Sequence, residues 1–318
     1  MKSSKRQFIK QISLGLLSTQ IPFLSNAKNL FFEDMGEKLK LSLAQWSLHN
    51  AFESGTLDPI LFSEISKKEF GIPAVEYVNS FYKNKGNDES FWINMKDRSD
   101  ALAVQNLLIM VDDEGDLGGE DNQLRQKAVE DHYQWIHAAK IMGCHSIRVN
   151  AFGATDPSIF KASLIDGLTK LTTYAAKEEI NILIENHGLF SSNAQLITSI
   201  IKEINMPNLG TLPDFGNWCL SAQWGSTQDG SCLEIYDPYL GVESLLPYAK
   251  GVSAKAYNFH ANGVHRNFDY EKMLLLVKAQ NFNGHIGIEY EGTELSEADG
   301  IRATKKHLED VWKKIWMS

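Results

Sequence analysis

The chain is short of positive charge, of cysteine and of proline. Lys and Arg number 31 against 40 Asp and Glu, a formal net charge of −9. That balance argues against nucleic acid or an anionic membrane as partner, since both need a basic face. The three cysteines, Cys144, Cys219 and Cys232, show no spacing that resembles a structural zinc site. An oxidising compartment would permit one disulfide, for which proximity favours Cys219 with Cys232; three free thiols is the competing reading. Only 8 prolines are present, and no Pro- or Ser-rich linker divides the chain. The stretch "LAQWSLHNAFESG" offers no G-x-G-x-x-G after the first apolar run, so the dinucleotide-binding fingerprint of an open doubly wound sheet is missing.

The N-terminus does carry a pattern. "MKSSKRQFIKQ" is basic, "ISLGLLSTQIPFL" is apolar, and "SNA" places small residues at Ser25 and Ala27. This reads as an export signal over 1–27, cleaved after Ala27, with a linker over 28–38 and one domain over 39–318. The apolar segment is too short to predict a stable membrane anchor. "SKRQFIK" resembles a twin-arginine signal with Lys5 in place of the first Arg. The expectation is an exported, periplasmic protein; the plainer alternative is an amphipathic N-terminal helix.

Beyond residue 38 a rhythm repeats: a short apolar run, a polar loop, a segment of helical period. The runs are 39–47, 72–78, 106–111, 144–151, 180–186, 209–215, 251–257 and 285–291. Helices are expected over 121–142, stopping at Gly143, over 156–178 behind the "DPS" cap, and over 269–281 and 297–316. Eight alternations predict α/β architecture of the (β/α)8 barrel type.

Side chains alternate along a strand, so each run has a helix-facing and an axis-facing set. With Ile182 and Ile184 outward, Leu183, Glu185 and His187 face the axis. The same test turns Glu76, Arg148, Asn150, Ser253, Lys255, Glu289 and Glu291 inward, and Asp214 closes the sixth run. Burying several carboxylates together is costly, and a divalent cation is the simplest relief. Carboxylate oxygens favour Mn²⁺, Mg²⁺ or Co²⁺, and a His ligand would admit Zn²⁺. Asp214 could instead cap a turn, Glu76 and Glu291 could be rim or ion-pair residues, and His187 could be a hydrogen-bonded packing residue. The acidic stretch "DDEGDLGGED" (112–121) is read as a solvated loop.

"ILIENHG", "LPDFGNW", "VSAKAYNF" and "GIEYEG", in that order, resemble the xylose isomerase-like barrels of the sugar phosphate isomerase/epimerase family. The resemblance covers residues from about 39 to the C-terminus, with "LAQWSLH" and "AVEYVNSFY" in support. It implies one divalent metal held by Glu185, Asp214, a strand-seven His and Glu289. The His is absent: the family's His-x-Lys reads Ser253-Ala254-Lys255 here. His187, His260 and water are the candidates for the fourth ligand.

The resemblance implies proton transfer next to a sugar carbonyl through an enediolate. Glu185 and Glu289 would combine ligation with acid/base work, and Asp214 would be a pure ligand. Lys255 would stabilise the oxyanion or shift a neighbour's pKa, and His187 would bind substrate or shuttle a proton. Arg148 and Asn150 would orient hydroxyls, and Glu76, Asn217 and His260 join the expected substrate-binding set. Trp46 and Trp218 would stack on a sugar face, with packing as the alternative for each. Export favours a non-phosphorylated sugar or glycoside as the small-molecule partner, with a homo-oligomer allowed. Two alternatives stay open: a 3-keto-glycoside lyase sharing the first proton transfer, and a non-catalytic carbohydrate-binding barrel. A Schiff-base aldolase using Lys255 is a weaker one.

Overall fold

A computed structural model of the chain describes residues 39–227 and 232–317. The expected export signal and linker lie outside the described residues. All eight apolar runs become strands: β1 (Leu41–Ala44), β2 (Ala74–Val78), β3 (Gln105–Val111), β4 (Ser146–Asn150), β5 (Asn181–Glu185), β6 (Leu209–Leu212), β7 (Val252–Ala256) and β8 (Ile286–Tyr290). They form one parallel sheet in the order β6-β5-β4-β3-β2-β1-β8-β7.

The two ends of that order meet. Phe215 N donates to Ser253 O (3.1 Å), Ser253 N to Pro213 O (2.9 Å) and Lys250 N to Thr211 O (3.1 Å). Pro213 has no N–H to give, so the β6–β7 seam is held by isolated bridges rather than a ladder. The result is the closed barrel that eight βα units predict.

Helices follow the strands: α1 (Phe62–Phe70), α2 (Glu89–Ala101), α3 (Asn122–Asp131), α4 (Tyr133–Met142), α5 (Pro157–Lys177), α6 (Ala194–Ile204), α7 (Pro238–Leu245), α8 (Tyr270–Ala279) and α9 (Glu297–Met317). Their ends obey local chemistry. The Asp156 carboxylate accepts from Ser158 N and Ile159 N, with Pro157 at the first helical position, and α4 stops at Gly143 in the left-handed region. The single helix expected over 121–142 is two. His132 separates them, and the Ala128 carbonyl accepts both its backbone N–H at 3.3 Å and its ring Nδ1–H at 2.7 Å.

Alternation sorts the core into two layers. Ile147, Val149, Ile182, Ile184, Val252, Ala254, Ile286 and Ile288 pack outward with the helices in one large cluster. Inside the barrel, Ala44, Val78, Leu108, Met110, Leu183 and Leu212 form a small separate one. Polar side chains share that interior with this small cluster.

Candidate functional site

Strands β4, β5, β7 and β8 end in register: Asn150 is beside Glu185, and Lys255 is beside Glu289. The inward set therefore converges on the C-terminal mouth. Glu185, Asp214 and Glu289, all buried, each offer an oxygen within 4.8 Å of the others'.

Each carboxylate has a protein partner. Arg148 Nε is 2.8 Å from Glu185 Oε2, and Lys255 Nζ is 3.2 Å from Glu289 Oε1 and 2.7 Å from Glu291 Oε1. Asp214 Oδ1 accepts from Gly216 N and Asn217 N at 2.8 and 2.9 Å, which is the turn-capping role open to it from sequence. Its other oxygen faces Ser253. Asn217 Nδ2 lies at the edge of hydrogen-bond reach of Glu185 Oε1, 3.5 Å.

Three observations test whether a cation fits. First, Ser253 Oγ is 2.5 Å from Asp214 Oδ2 and 2.8 Å from Glu289 Oε2. A hydroxyl has one proton to donate, so it serves one carboxylate, and the other contact needs a proton on a carboxyl or a cation near by. Second, Glu185 Oε2 is buried without an aligned hydrogen bond among the described residues; the Arg148 Nε–H is close but not aimed at it. Third, the charges do not balance. Glu76, Asp112, Glu185, Asp214, Glu289 and Glu291 share this interior with Arg148 and Lys255. Burial pushes the carboxyls of Glu185 and Asp214 well up, against the pull of Arg148 on the first and Lys255 on the second, and the Glu289 carboxylate adds to the rise in both. Lys255 goes the other way: burial would lower its pKa, but Glu289, Glu291 and Asp214 outweigh it and hold the ammonium charged. The donor set fits a divalent cation at Glu185, Asp214 and Glu289.

His187 and His260 are not gathered with these three among the described residues. His187 Nδ1 is 3.9 Å from Glu185 Oε2 but 2.7 Å from Asn150 Oδ1. Asn150 Oδ1 also accepts from Arg148, and its Nδ2 donates to Asp112 Oδ1, so the oxygen faces His187. The imidazole thus donates from Nδ1 and keeps a lone pair on Nε2. Burial, and after it the Arg148 charge, hold His187 neutral. His260 is exposed in the loop after β7.

Other sequence expectations change place. Trp218 is fully buried: its ring fills the space beside Gly241 of α7 and stacks on Tyr236 at 5.9 Å, so it packs the helix layer rather than a sugar. Trp46 is half-buried just past β1, stacked on His49 at 4.8 Å. Glu76 is no rim residue. It lies inside the barrel, 1% exposed, with Oε1 accepting from Ser42 Oγ at 2.6 Å and Oε2 without a partner among the described residues. Glu291 is the ion-pair partner of Lys255. The loop 112–121 is not merely solvated: Asp112 accepts from Arg148 Nη1 and Asn150 Nδ2 at 2.5 and 2.7 Å, and Leu117 is fully buried. Asp112 was legible, because Met110 faces the axis and alternation carries Asp112 inward after it.

Trp224 is a residue that strand periodicity could not supply. It lies in the loop between β6 and α7, closed by the Cys219–Cys232 disulfide. Its ring meets His187 edge-on at 5.0 Å and Phe152 at 5.4 Å.

Comparison with known proteins places this geometry. No curated protein matches the chain. Among solved structures, the 3-keto-D-glucoside 4-epimerase of E. coli superposes with a TM-score of 0.65 at 14% identity, covering 86% of this chain and 100% of that one. A xylose isomerase domain protein from Planctomyces limnophilus gives 0.62 at 16% identity, covering 88% and 99%. A xylose isomerase-like TIM barrel protein from Mycobacterium smegmatis, in complex with magnesium, gives 0.58 at 14%, covering 87% and 97%. Residues 68–311, well over half of the sequence, match a family description, and on that match the chain belongs to the xylose isomerase-like TIM barrel family.

Proposed function

We propose that the protein is a metal-dependent carbohydrate isomerase or epimerase that moves a proton next to a carbonyl of a non-phosphorylated sugar or glycoside. One observation carries this reading: three buried carboxylates from three strand ends, with oxygens within 4.8 Å of one another, at the mouth of a barrel. Glu185, Asp214 and Glu289 would hold the cation, and an all-oxygen donor set favours Mg²⁺ or Mn²⁺. When bound, the cation supplies Lewis-acid polarisation of the substrate's carbonyl and the neighbouring hydroxyl.

The chain's own groups do the rest. Glu185 and Glu289 enter from β5 and β8, so one carboxylate takes the proton from carbon and the other returns one. Arg148 fixes Glu185, and Lys255 fixes Glu289 while placing a positive charge where enediolate charge develops. Ser253 ties Asp214 to Glu289 across the seam. His187 offers a neutral Nε2 to a substrate hydroxyl, with Asn150 fixing its tautomer. Both fixed cations are already committed to two carboxylates each, Arg148 to Asp112 and Glu185, Lys255 to Glu289 and Glu291. Neither is spare for a phosphate, which supports a neutral sugar.

The test is metal analysis with solvent-deuterium exchange into keto-sugars. Glu185→Gln and Glu289→Gln are expected to stay folded, lose bound metal and lose at least about 10²-fold in exchange rate. Full metal occupancy with unchanged exchange in both variants would refute the assignment.

A further inference from the structure

Beside Asn150, the strand neighbour of Glu185, lies a cleft of about 250 Å³. Its lining includes Asp113, Asp116, His132, Asn150, Phe152 and Trp224. Asn150 is the shared wall: it lines this cleft and also holds His187 and Asp112 in the polar network at the mouth. We infer that this cleft binds a second sugar ring, the aglycone side of a glycoside whose reacting ring sits at the three carboxylates; the inference rests on the sugar reading above and names its substrate class.

Acceptors predominate in the cleft's polar chemistry. His132 is 2% exposed, its Nδ1–H is used by Ala128 O, and its Nε2 has no partner among the described residues. An imidazole with Nδ1 donating carries a lone pair on Nε2, and burial keeps this ring neutral. Asp113 and Asp116 add acceptors at the entrance. Glu114 also lines the cleft, the Asn150 amide N–H is spent on Asp112, and Gln223 adds one amide that can donate or accept. A lining in which acceptors predominate calls for a ligand rich in O–H donors and disfavours phosphate or carboxylate. It is too wide for a bare metal ion, and its carboxylates form no coordinating group among the described residues. It is smaller than the roughly 300–1,000 Å³ of drug-sized sites, which suits a single ring.

The apolar side is just as particular. Phe152 and Trp224 offer aromatic surface to the C–H face of a pyranose. Trp224 is 43% exposed with φ of 65°, a conformation that bulky residues avoid and that surrounding structure must enforce. The enforcement is visible. Cys219 N donates to Gly225 O at 3.0 Å, Leu189 N donates to Cys219 O at 3.0 Å, and the disulfide closes the loop. A Cβ on Gly188 would stand 2.6 Å from Gly225 N, so only glycine lets the loop bed this closely on the residue after His187.

Calorimetric titration of the whole protein with glucose and with cellobiose, maltose and trehalose tests the inference without turnover. At least one disaccharide is expected to bind about tenfold or more tightly than glucose, and Trp224→Ala and His132→Leu should each bring that ratio close to one. Trp224 is surface-exposed, so its variant stays informative if the buried His132 variant does not fold. Equal affinities for glucose and all three disaccharides, no disaccharide binding, or a ratio unmoved by Trp224→Ala would overturn it. A preserved ratio in a protein that exchanges no deuterium would refute the reaction and leave the subsite standing.

Discussion

Replacing Glu76 by Gln measures how much the barrel interior resists negative charge. Glu76 is fully enclosed, its Oε2 has no partner among the described residues, and the Glu289 charge acts on it within the interior. Burial first, helped by Glu289 and opposed by Ser42 and Arg148, lifts its carboxyl from 4.5 to about 7. A rise of that size corresponds to about 3 kcal/mol between the two protonation states. The sign follows from which state binds the proton. Below about 4.5 both folded and unfolded chains carry it. Between there and about 7 the unfolded chain releases it while the folded chain holds on, so stability falls as pH rises, and above 7 the loss is complete. Urea denaturation of wild type and Glu76→Gln in chelator, at pH 5 and pH 8, should show the variant gaining about 2–3 kcal/mol relative to wild type between the two. Saturating Mg²⁺ or Mn²⁺ should shrink that gain, because a cation at the neighbouring carboxylates eases ionisation of Glu76. Parallel pH profiles for the two proteins in chelator would refute the buried, proton-holding Glu76.

Lys255→Met leaves Glu289 and Glu291 without their ammonium and should cost about 3 kcal/mol or more in metal-free protein, read by denaturation. Gly188→Ala places a methyl group 2.2 Å from Ala222 O at φ of 98°, and is expected to destabilise by more than about 2 kcal/mol and shift Trp emission as Trp224 leaves His187. Reduction of Cys219–Cys232, or replacement of both by Ala, should lower stability by about 3 kcal/mol, the loop-closure value for a separation near 13 residues, with a matching fall in denaturation midpoint.

The strands and the three carboxylates were legible because both depend on a two-residue period. Ile182 and Ile184 had to face the helices, which turned Glu185 inward, and the same step turned Lys255 and Glu289 toward the axis; the strand register then set those two side by side. Asp112 obeyed that rule too and was hidden only by the acidic run that follows it. Other features had no local signature. The 121–142 helix splits at His132, where ring and backbone N–H share the Ala128 carbonyl, and helical periodicity does not record that contact.

By itself, then, the sequence determined the eight-fold repeat and the inward sets, with Glu185 and Glu289 facing the axis and Asp214 closing its run, since alternation along a strand is local. Tertiary structure alone decided that His187 answers to Asn150 rather than joining the carboxylates, that Trp218 goes to the helix layer while Trp224 reaches the mouth, and that Ser253 bridges Asp214 and Glu289. Those outcomes depend on closing the β6–β7 seam and bedding one loop on another, contacts between residues far apart in the chain that no short-range pattern encodes.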